Sequence, residues 1–592
     1  MLKKSFNWLN SLLSALAFIV PLFIYWQSAA RVIQLEDSAE FVTAALTWGI
    51  PHPSGYPLYV LLAGLWSQLV GWSPVIVNLL SGLLAALASW LVYKSTRLWQ
   101  VEPLLALAAS WLLAGWTGFW SQSVVAEVYT LYVFLLSAII YSAARFNKDK
   151  TVGWLYLIFG LAGLSASAHL LAVWLWPILL VYYYRDLIII KLNQKIKVII
   201  FFILGLVPYL YLPWRAAQNP LLNWGRPDSW FSFWYHVLRL GYSDMVWPSG
   251  LVNKSGLVGS LLLDLVSDWG LVILVVLILG LIVGYKIYGR TIIFLLAAAV
   301  SQILPAVYLR RYGWGLGPAF TYSVYWSGFI MLLAVLFALA ATALQNWLAV
   351  KVQIFKKSVI IFPIIIFLSL PWSSWYGNFY LFNYSRDNWP EVYASSLLEQ
   401  LPPQAVLFIW GDDYANDSLL FTIAYQKIVK GLRPDVTVLD GGIIFPILTP
   451  NWGEREVDNW LSFWRYAYLT NRPAYATRLP PKDSYLVSRL DGYAYRLFGS
   501  LKESVEEATS PNLLLPEVWT INRMFYYSGQ DYLAHLLYSQ ALALWQQDRP
   551  RQAQAALREA IYFDNEPFSQ DYWRFVKQRN LINQTNKQLN DN

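Results

Sequence analysis

Residues 37–59, DSAEFVTAALTWGIPHPSGYPLY, directly follow the first apolar stretch and bring together acids, a histidine and several prolines. Asp37 and Glu40 are three residues apart, and His52 lies between Pro51 and Pro53. Proline fixes its own φ and restricts the residue before it, so the turn around His52 is stiff. We therefore expect the imidazole to lie close to the two carboxylates, and the stretch predicts a reaction centre.

The same two acids also fit a structural role. An Asp at a helix start with a Glu three residues later forms a capping box, which satisfies free main-chain N–H groups. The two roles are compatible, because a capping Asp can still present one oxygen outward.

The composition indicates a membrane protein with a water-soluble part. The 592 residues are 57% hydrophobic and 13% charged, whereas soluble domains have about 25% charged residues. The 32 Trp and 39 Tyr suit aromatic belts at two membrane interfaces. Much of the +8 net charge lies in short loops and reports topology, so no nucleic-acid partner is predicted. The absence of cysteine excludes disulfides and thiolate metal sites.

The distribution of Lys and Arg predicts the topology. Segment 56–72 is apolar but shorter than the roughly 20 residues that cross a bilayer. Treating it as an interfacial or re-entrant helix keeps Lys94, Arg97 and the later basic loops on the inside, as the positive-inside rule requires. The result is about 11 spans, with an uncleaved first helix, the N-terminus inside and everything after about residue 373 outside. The predicted spans are 1–26, 74–95, 102–120, 124–144, 152–170, 171–185, 196–213, 257–285, 291–309, 325–346 and 358–372.

Ionisable residues collect at the outer face in this topology. Placing an ionisable side chain in the hydrocarbon layer costs about 2.5–3.5 kcal/mol or more. Several ionisable side chains at the same depth therefore predict a shared polar cavity. The group consists of Asp37, Glu40, Glu127, His52, His169, His236, Arg215, Arg226, Arg239, Arg310 and Arg311. Milder roles stay open for some of them: Glu127 as a hydrated acid at a helix N-terminus, and His169 as a satisfied interface residue.

The outer loop 209–243 is rich in Trp, Pro and Asn and contains Arg215, Arg226 and Arg239. The planar guanidinium pairs bidentately with phosphate oxygens, so Arg215 and Arg239 are candidates for binding a lipid phosphate. Snorkelling to lipid headgroups is the alternative. The adjacent Arg310 and Arg311 require an anionic partner on the predicted outer side, either lipid headgroups or a substrate phosphate.

The C-terminal part predicts an α/β domain. Ala405–Trp410 and Asp435–Leu439 are typical of strands, and Asp417–Lys430 of an amphipathic helix, so the unit is βαβ with a parallel sheet. Gly411-Asp412-Asp413 follows the first strand, where open α/β sheets bind ligands, although such acids also cap helices. From about 529 the spacing of small and apolar residues is typical of one tetratricopeptide-like helix pair. The predicted domains are a transmembrane domain at 1–372, with outer loops 30–73 and 214–256, an α/β domain at 373–525 and a helical segment at 526–592.

Several of these stretches resemble, in the same order, the signatures of the transmembrane protein O-mannosyltransferase family, whose members are multi-pass GT-C glycosyltransferases. The opening signature is Asp37-Ser-x-Glu40-Phe with Gly-Ile-x-His52-Pro-x-Gly-Tyr56-Pro-Leu, which fixes residue types at many positions. The further matches are Ala-Glu127-Val-Tyr-Thr-Leu, Tyr-Leu-Pro-x-Arg215-Ala, Asn223-Trp224-Gly-x-Pro, His236-Val-Leu-Arg239 and Gly431-x-Arg-Pro-Asp-Val.

The resemblance implies a GT-C fold and transfer of a sugar, with mannose the leading expectation, from a polyprenyl-phosphate donor. The acceptor would be a hydroxyl of a protein or glycan at the outer face of a bacterial inner membrane. Asp37 would be the general base, Glu40 would orient the acceptor and His52 would position it or contact the phosphate. The expected phosphate ligands are Arg215, Arg239, Arg310 and Arg311, and the expected cavity residues are Glu127, Tyr56, His169, His236, Asn223 and Trp224.

Three points stay open. No metal is assigned, although Asp37, Glu40 and Glu127 together are able to hold a divalent cation. A flippase or transporter of an anionic lipid-linked substrate is the alternative function, because the same arginines would bind its headgroup. A scaffold without catalysis is the third possibility, and the intact acidic stretch argues against it.

Overall fold

The structure is a computed structural model that describes residues 2–240, 254–308, 324–351, 358–370, 372–409, 414–440, 467, 470–477, 487–491, 494–498, 537, 541 and 550–563. The described chain divides into two compact units. The first consists of Met1–Ile33 and most of the chain from Ala44 to Asp387, and the second consists mainly of Asn388–Asn592 together with Gln34–Thr43, the stretch that contains Asp37 and Glu40.

The chain up to Asp387 is helical in the part that the structure describes. Its helices are α1 Leu2–Ser28, α2 Asp37–Thr47, α3 Pro57–Val70, α4 Pro74–Leu98, α5 Pro103–Ala114, α6 Thr117–Ser123, α7 Tyr129–Asp149, α8 Gly153–Ala166, α9 Trp176–Ile189, α10 Leu192–Leu206, α11 Tyr211–Ala216, α12 Trp230–Val237, α13 Lys254–Tyr308, α14 Ser327–Lys351, α15 Ser358–Leu368 and α16 Trp372–Leu381. Short 3₁₀ helices occupy Leu170–Leu175, Val207–Leu210 and Val324–Trp326.

Within the described residues, seven helices are long and apolar enough to cross a membrane. An eighth is obtained if α5 and α6, which are bent by 70°, form one broken span. Two predicted spans are short helices, since α8 has 14 residues and α15 has 11. Two others, 257–285 and 291–309, are joined in α13, whose backbone is non-helical at Gly270 and Gly289. The predicted number of 11 spans therefore stays a prediction.

The segment that was too short for a span forms α3, an apolar helix of 14 residues. Its length of about 21 Å, at 1.5 Å per residue, is less than the thickness of the hydrocarbon layer. The helix begins with Pro57 at its first position, where the missing N–H carries no cost. The boundaries of α3 match the prediction of a short interfacial or re-entrant helix.

The chain entering α2 is fixed to the start of α4. The amide of Asn78, which is fully buried, donates to the carbonyl oxygens of Ala30 at 2.9 Å and Val32 at 3.1 Å. A buried amide that satisfies two main-chain acceptors holds the connection rigidly. This contact fixes the chain up to Val32, five residues before α2 begins.

Helix α10, which leads into the segment 209–243, packs closely on α8. A Cβ added at Gly163 in α8 would overlap the main chain of Phe202 in α10, and one added at Gly205 would overlap the main chain of Gly160. Small residues allow such close backbone contact between apolar helices. The start of loop 209–243 is therefore held by direct helix packing.

The second unit contains helix α17 Trp389–Gln400, strand β1 Val406–Ile409, helix α18 Tyr414–Ile428, strands β2 Thr437–Asp440, β3 Ala474–Ala476, β4 Val487–Asp491 and β5 Ala494–Phe498, and helix α19 Pro550–Phe563. The sheet order is β2-β1-β3-β5-β4. The pairs β1–β2 and β1–β3 are parallel, and β3–β5 and β4–β5 are antiparallel.

The predicted βαβ unit is confirmed by β1, α18 and β2, with Val406 opposite Thr437. Its connection is held by Arg433, which donates to the carbonyl oxygens of Leu398 and Leu401 and pairs with Asp435 at 2.8 Å. The motif Gly411-Asp412-Asp413 lies outside the described residues.

Only a small part of the predicted tetratricopeptide-like segment is described. Ala541 and Ala556 share one buried cluster, against which Leu557 packs. This contact links α19 to the preceding stretch, and the helix-pair assignment stays a prediction.

Candidate active site

Helix α2 places both acids in its first turn, where the partial positive charge of the helix N-terminus favours carboxylates. Asp37 is half-buried, Glu40 is 1% exposed and His52 is 7% exposed. One carboxylate oxygen of each acid and one imidazole nitrogen of His52 lie within 4.8 Å of one another. The structure thus brings together the three residues of the expected reaction centre.

Tyr56 connects His52 to an arginine from a distant part of the chain. The Nε2 atom of His52 lies 3.2 Å from the Tyr56 hydroxyl, and Nη1 of Arg239 donates to the same hydroxyl at 3.2 Å. Since arginine only donates, the hydroxyl oxygen accepts from Arg239, and the tautomer of His52 decides which atom donates in the contact between Nε2 and the hydroxyl. The contacts link the acidic group to a guanidinium through one phenol.

Both partners in that contact have a left-handed backbone. Tyr56 has φ of 40° and Arg239 has φ of 57°, values that bulky side chains adopt only at a cost of about 1–3 kcal/mol. Such conformations persist where the surrounding structure fixes them, and they cluster at functional sites. The strain supports a role for this pair beyond packing.

Main-chain hydrogen bonds connect the stretch after α2 to the loop after α11. The N–H of Ile50 donates to the Leu222 carbonyl at 2.8 Å, and the N–H of Trp224 donates to the Ile50 carbonyl at 3.1 Å. Ile50 and Asn223 form an isolated parallel bridge. The two expected cavity residues Asn223 and Trp224 thus lie directly beside the turn that contains His52.

Arg215 makes contacts other than the expected phosphate contact. Its Nε donates to the Trp48 carbonyl at 2.6 Å, and its Nη2 donates to the Thr47 carbonyl at 3.1 Å. A third donor, Nη1, reaches Oε1 of Gln218 at 2.8 Å. Cations are favourable at helix C-termini, where main-chain carbonyls lack partners. In this structure Arg215 caps the C-terminal end of α2.

His236 fills the space between two glycines. It is 1% exposed, and a Cβ at Gly55 would lie 2.9 Å from its Nε2, while a Cβ at Gly225 would lie 2.9 Å from its Nδ1. Both glycines have positive φ, +82° and +65°. Burial, with the nearby His52 and Arg239, lowers the pKa of His236 to about 3, partly opposed by the Pro51 backbone. His236 is therefore neutral and holds three segments together.

Aromatic rings surround the remaining histidine. The His169 ring lies 5.9 Å from Tyr56, 5.1 Å from Tyr129 and 5.5 Å from Tyr132, between ring centroids. Its Nδ1 accepts from the N–H of Leu171 at 3.1 Å, so His169 also caps the 3₁₀ helix that follows. The structural role considered from the sequence is present, and the ring still contacts Tyr56.

Glu127 lies in the bend before α7 and is 6% exposed. Its carboxylate accepts from the N–H of Val128 at 3.1 Å, and its own N–H donates to Oγ of Ser81 at 3.2 Å. The metal-ligand group that the described residues offer contains His52 with Asp37 and Glu40, whereas the trio considered from the sequence contained Glu127.

Two of these side chains were missed from the sequence. Tyr129 belongs to the motif quoted for Glu127, and Tyr132 follows three residues later on the same face of α7. Their helical spacing was the available signal, although Trp and Tyr are so frequent in this chain that it was weak. The predicted phosphate ligands Arg310 and Arg311 lie outside the described residues.

Comparison with known proteins confirms the resemblance noted from the motifs. Residues 37–189 match the family described as the N-terminal domain of protein O-mannosyl-transferase TMEM260. The protein O-mannosyl-transferase TMEM260 of Mus musculus is 24% identical over 436 residues, covering 68% of this chain and 59% of that protein. That of Dictyostelium discoideum is 22% identical over 559 residues, covering 82% and 62%. The chain thus spans about three-fifths of the length of these relatives.

Among solved structures, the chain is similar to ArnT from Cupriavidus metallidurans. The apo crystal structure has a TM-score of 0.52 at 12% identity, covering 83% of this chain and 98% of ArnT. The structure bound to undecaprenyl phosphate has a TM-score of 0.50 at 11% identity, covering 83% and 97%. The protein is therefore an integral membrane protein with the ArnT-like GT-C fold, and it resembles the protein O-mannosyl-transferases named TMEM260.

Proposed function

We propose that the protein is a membrane glycosyltransferase that moves a sugar from a polyprenyl-phosphate donor to a hydroxyl acceptor. Mannose is the proposed sugar and a protein Ser or Thr the proposed acceptor, at the extracytoplasmic face of a bacterial inner membrane. The observation that carries the proposal is the group of Asp37, Glu40 and His52, joined through Tyr56 to Arg239.

Asp37 has the properties of a general base. It is half-buried, whereas Glu40 is almost fully buried, so Asp37 is the carboxylate that an incoming hydroxyl reaches. A base must lie within hydrogen-bond distance of the proton that it takes. Glu40 would orient Asp37 and His52 from the buried side, and His52 would position the acceptor.

The reaction needs one displacement at the anomeric carbon. The acceptor oxygen forms a bond to that carbon as the bond to the phosphate oxygen breaks, and the hydroxyl proton passes to Asp37. Phosphate is already a good leaving group, so a dedicated general acid is dispensable. A single displacement inverts the anomeric configuration.

Arg239 is the proposed ligand of the departing phosphate. Its guanidinium reaches Tyr56 next to the acidic group, and a fixed cation stabilises the charge that develops on the leaving group. Arg310 and Arg311 remain further candidates for this role. For Arg215 the proposal changes, because its donors are engaged by Thr47, Trp48 and Gln218 and it acts as a positioning residue.

The comparisons support the donor and the acceptor in the proposal. The relatives from mouse and Dictyostelium discoideum are named protein O-mannosyl-transferases, and ArnT has been solved with undecaprenyl phosphate. These names support a polyprenyl-phosphate donor and a protein acceptor. The site itself supports a hydroxyl acceptor and a phosphate leaving group.

The acidic group also has the chemistry to hold a divalent cation. Two carboxylates and an imidazole suit Mn²⁺ or Zn²⁺, and their ligand atoms lie within 4.8 Å of one another. The mechanism above takes no step through such an ion. A chelator therefore belongs in the test.

The experiment incubates the purified protein with polyprenyl-phosphate mannose, polyprenyl-phosphate glucose or a soluble nucleotide-linked mannose, each with a Ser/Thr peptide. We expect transfer from the lipid-linked mannose alone, with inversion shown by NMR of the glycopeptide and an unchanged rate after treatment with a chelator. If no donor is consumed while proteoliposomes move the intact lipid-linked sugar across the bilayer, the protein is a flippase and the proposal is wrong.

A further inference from the structure

A cavity of about 690 Å³ lies between α1 and α4. Its polar side is formed by Asn10 and Ser14 of α1 and by Trp90, Tyr93, Lys94 and Arg97 of α4. Apolar residues, among them Phe18 and Leu87, form the rest of the lining. The cavity thus combines two cations with a hydrophobic wall.

This cavity lies at the end of α4 away from the candidate active site. Asn78, near the start of α4, contacts the chain that leads into α2. Lys94 is 16 residues further along the same helix, which corresponds to about 24 Å at 1.5 Å per residue. The cavity therefore belongs to neither the acidic group nor Arg239.

Neither cation forms an ion pair at contact distance within the part of the chain that the structure describes, and the one carboxylate that acts on Arg97 electrostatically is that of Glu102, so the pair keeps a net positive charge. The Lys94 ammonium lies 5.5 Å from the centre of the Trp90 ring, and Arg97 donates to the main-chain carbonyl of Val101. A basic group near a membrane surface attracts an anionic headgroup, and Trp and Tyr concentrate at the same level of the bilayer. An anionic ligand would complete the charge balance here.

The other polar groups already hold the two helices in register. Nε1 of Trp90 donates to Oγ of Ser14 at 3.1 Å, and the Tyr93 hydroxyl donates to the Asn10 carbonyl at 3.2 Å. The side-chain Oδ1 of Asn10 is buried and has no hydrogen-bond partner among the described residues. A buried acceptor without a partner is costly, and a headgroup hydroxyl or ammonium would supply the missing donor.

We propose that this cavity binds an anionic phospholipid of the surrounding membrane. Its phosphate lies against Lys94 and Arg97, and its first acyl carbons lie against Phe18 and Leu87. This site is separate from the proposed transferase reaction, and its existence does not depend on that reaction.

The test uses native mass spectrometry of the full-length protein, delipidated in detergent and titrated with phosphatidylglycerol or phosphatidylcholine. We expect one saturable phosphatidylglycerol and weaker binding of phosphatidylcholine. Lys94→Gln with Arg97→Gln should weaken phosphatidylglycerol binding by about tenfold or more, since each basic group near a membrane surface contributes about fivefold. The matched control, Lys195→Gln with Lys197→Gln, removes two charges from α10, outside the cavity, and should bind as the unchanged protein does.

A second variant tests the cavity without altering its charge. Ala15 lines the cavity and is exposed, so Ala15→Trp should fill the space and displace the lipid. Leu12→Trp, on the exposed surface of α1 outside the cavity lining, should have no effect. Loss of binding in the cavity variants alone supports the proposal.

Three results would overturn it. One is equal affinity for both lipids, and another is equal phosphatidylglycerol binding by the double-charge variant and its control. The third is complete displacement of phosphatidylglycerol by glycerol 3-phosphate at equal concentration, which would show a site for a soluble phosphate compound.

Discussion

The two ends of the segment 209–243 each place an arginine against the stretch 37–56, and the two arginines contact different kinds of atom. At the start of the loop, Arg215 donates to the main-chain carbonyls of Thr47 and Trp48. At its end, Arg239 donates to the Tyr56 hydroxyl, which also contacts His52. From the sequence, both were expected to bind phosphate.

The difference indicates that one arginine has a structural role and the other a role in the reaction. Main-chain carbonyls are present whatever the sequence, so an arginine bound to them fixes the path of the chain. A hydroxyl in contact with an imidazole and a guanidinium belongs to a titratable network in which substrate groups can exchange partners. We therefore assign positioning to the start of the loop and phosphate binding to its end.

The largest expected effect is at Asp37, the proposed general base beside the contact between His52, Tyr56 and Arg239. We expect Asp37→Asn to lower the turnover number by about 10²–10⁴-fold, the usual contribution of a general base. The amide is the same size and still accepts a hydrogen bond, so membrane insertion and thermal stability should stay near those of the unchanged protein. The measurement is the initial rate with polyprenyl-phosphate mannose and a Ser/Thr peptide.

Glu40→Gln is the matched control for that variant, since both acids lie in the first turn of α2. Glu40 is nearly fully buried and has an orienting role in the mechanism, so a loss of only about tenfold is expected for an effect on geometry alone. A fully active Asp37→Asn variant, or a larger loss at Glu40 than at Asp37, would remove Asp37 as the base.

The next effect is expected at Arg239. Arg239→Gln should lower kcat by about 10²-fold, as removal of one group that stabilises developing charge commonly does. Arg239→Lys should recover part of the rate, because the charge returns without the planar fork. Comparable rates for Arg239→Gln and Arg215→Gln in single-turnover reactions would contradict the division between the two ends of the loop.

Sequence motifs predicted which residues of the candidate site lie together better than they predicted the contacts of each residue. Asp37, Glu40 and His52 were identified together because proline stiffness and short spacing restrict where they can lie. The contact between Tyr56 and Arg239 joins residues 183 positions apart, which no local pattern specifies. Arg215 and Arg239 each belong to a family-like motif. Only the three-dimensional structure shows that Arg215 contacts the carbonyls at the end of α2 and Arg239 does not.

Local patterns also determined which parts of the fold could be predicted from the sequence. The βαβ unit at 405–440 was predictable because each element has its own periodicity and break signals. Span counting was less secure, since α8 and α15 are apolar but short and α13 continues through the predicted break with non-helical backbone at Gly289. Hydropathy reports apolar length, and it does not report where a helix bends.

Arg215→Gln should affect stability more than rate. It removes charge-assisted hydrogen bonds to two carbonyls of a half-buried site, and we expect the free energy of unfolding in detergent to fall by about 2 kcal/mol. The rate of the folded fraction should change by less than about threefold, since Arg215 touches no reacting group in the proposed mechanism. Thermal unfolding measured beside initial rates separates the two. A rate loss as large as that of Arg239→Gln, with no change in stability, would return Arg215 to phosphate binding.

The effect expected at His236, three residues before Arg239, concerns the pH dependence of stability and leaves the rate at neutral pH unaddressed. Burial lowers its pKa to about 3 in the folded protein, while an unfolded histidine titrates near 6.5. Between these values the unfolded state binds the extra proton, so the contribution of His236 to stability is complete above about pH 6.5 and is lost as the pH falls towards 3. His236 alone changes the free energy of unfolding by at most about 1.4 kcal/mol per pH unit.

Thermal unfolding in detergent from pH 7 to pH 4 tests this contribution. The stability of His236→Gln should fall less steeply with decreasing pH than that of the unchanged protein. Parallel curves would mean that His236 is protonated in the folded state, and the packing of an imidazole between Gly55 and Gly225 would then have to accommodate a charge beside Arg239.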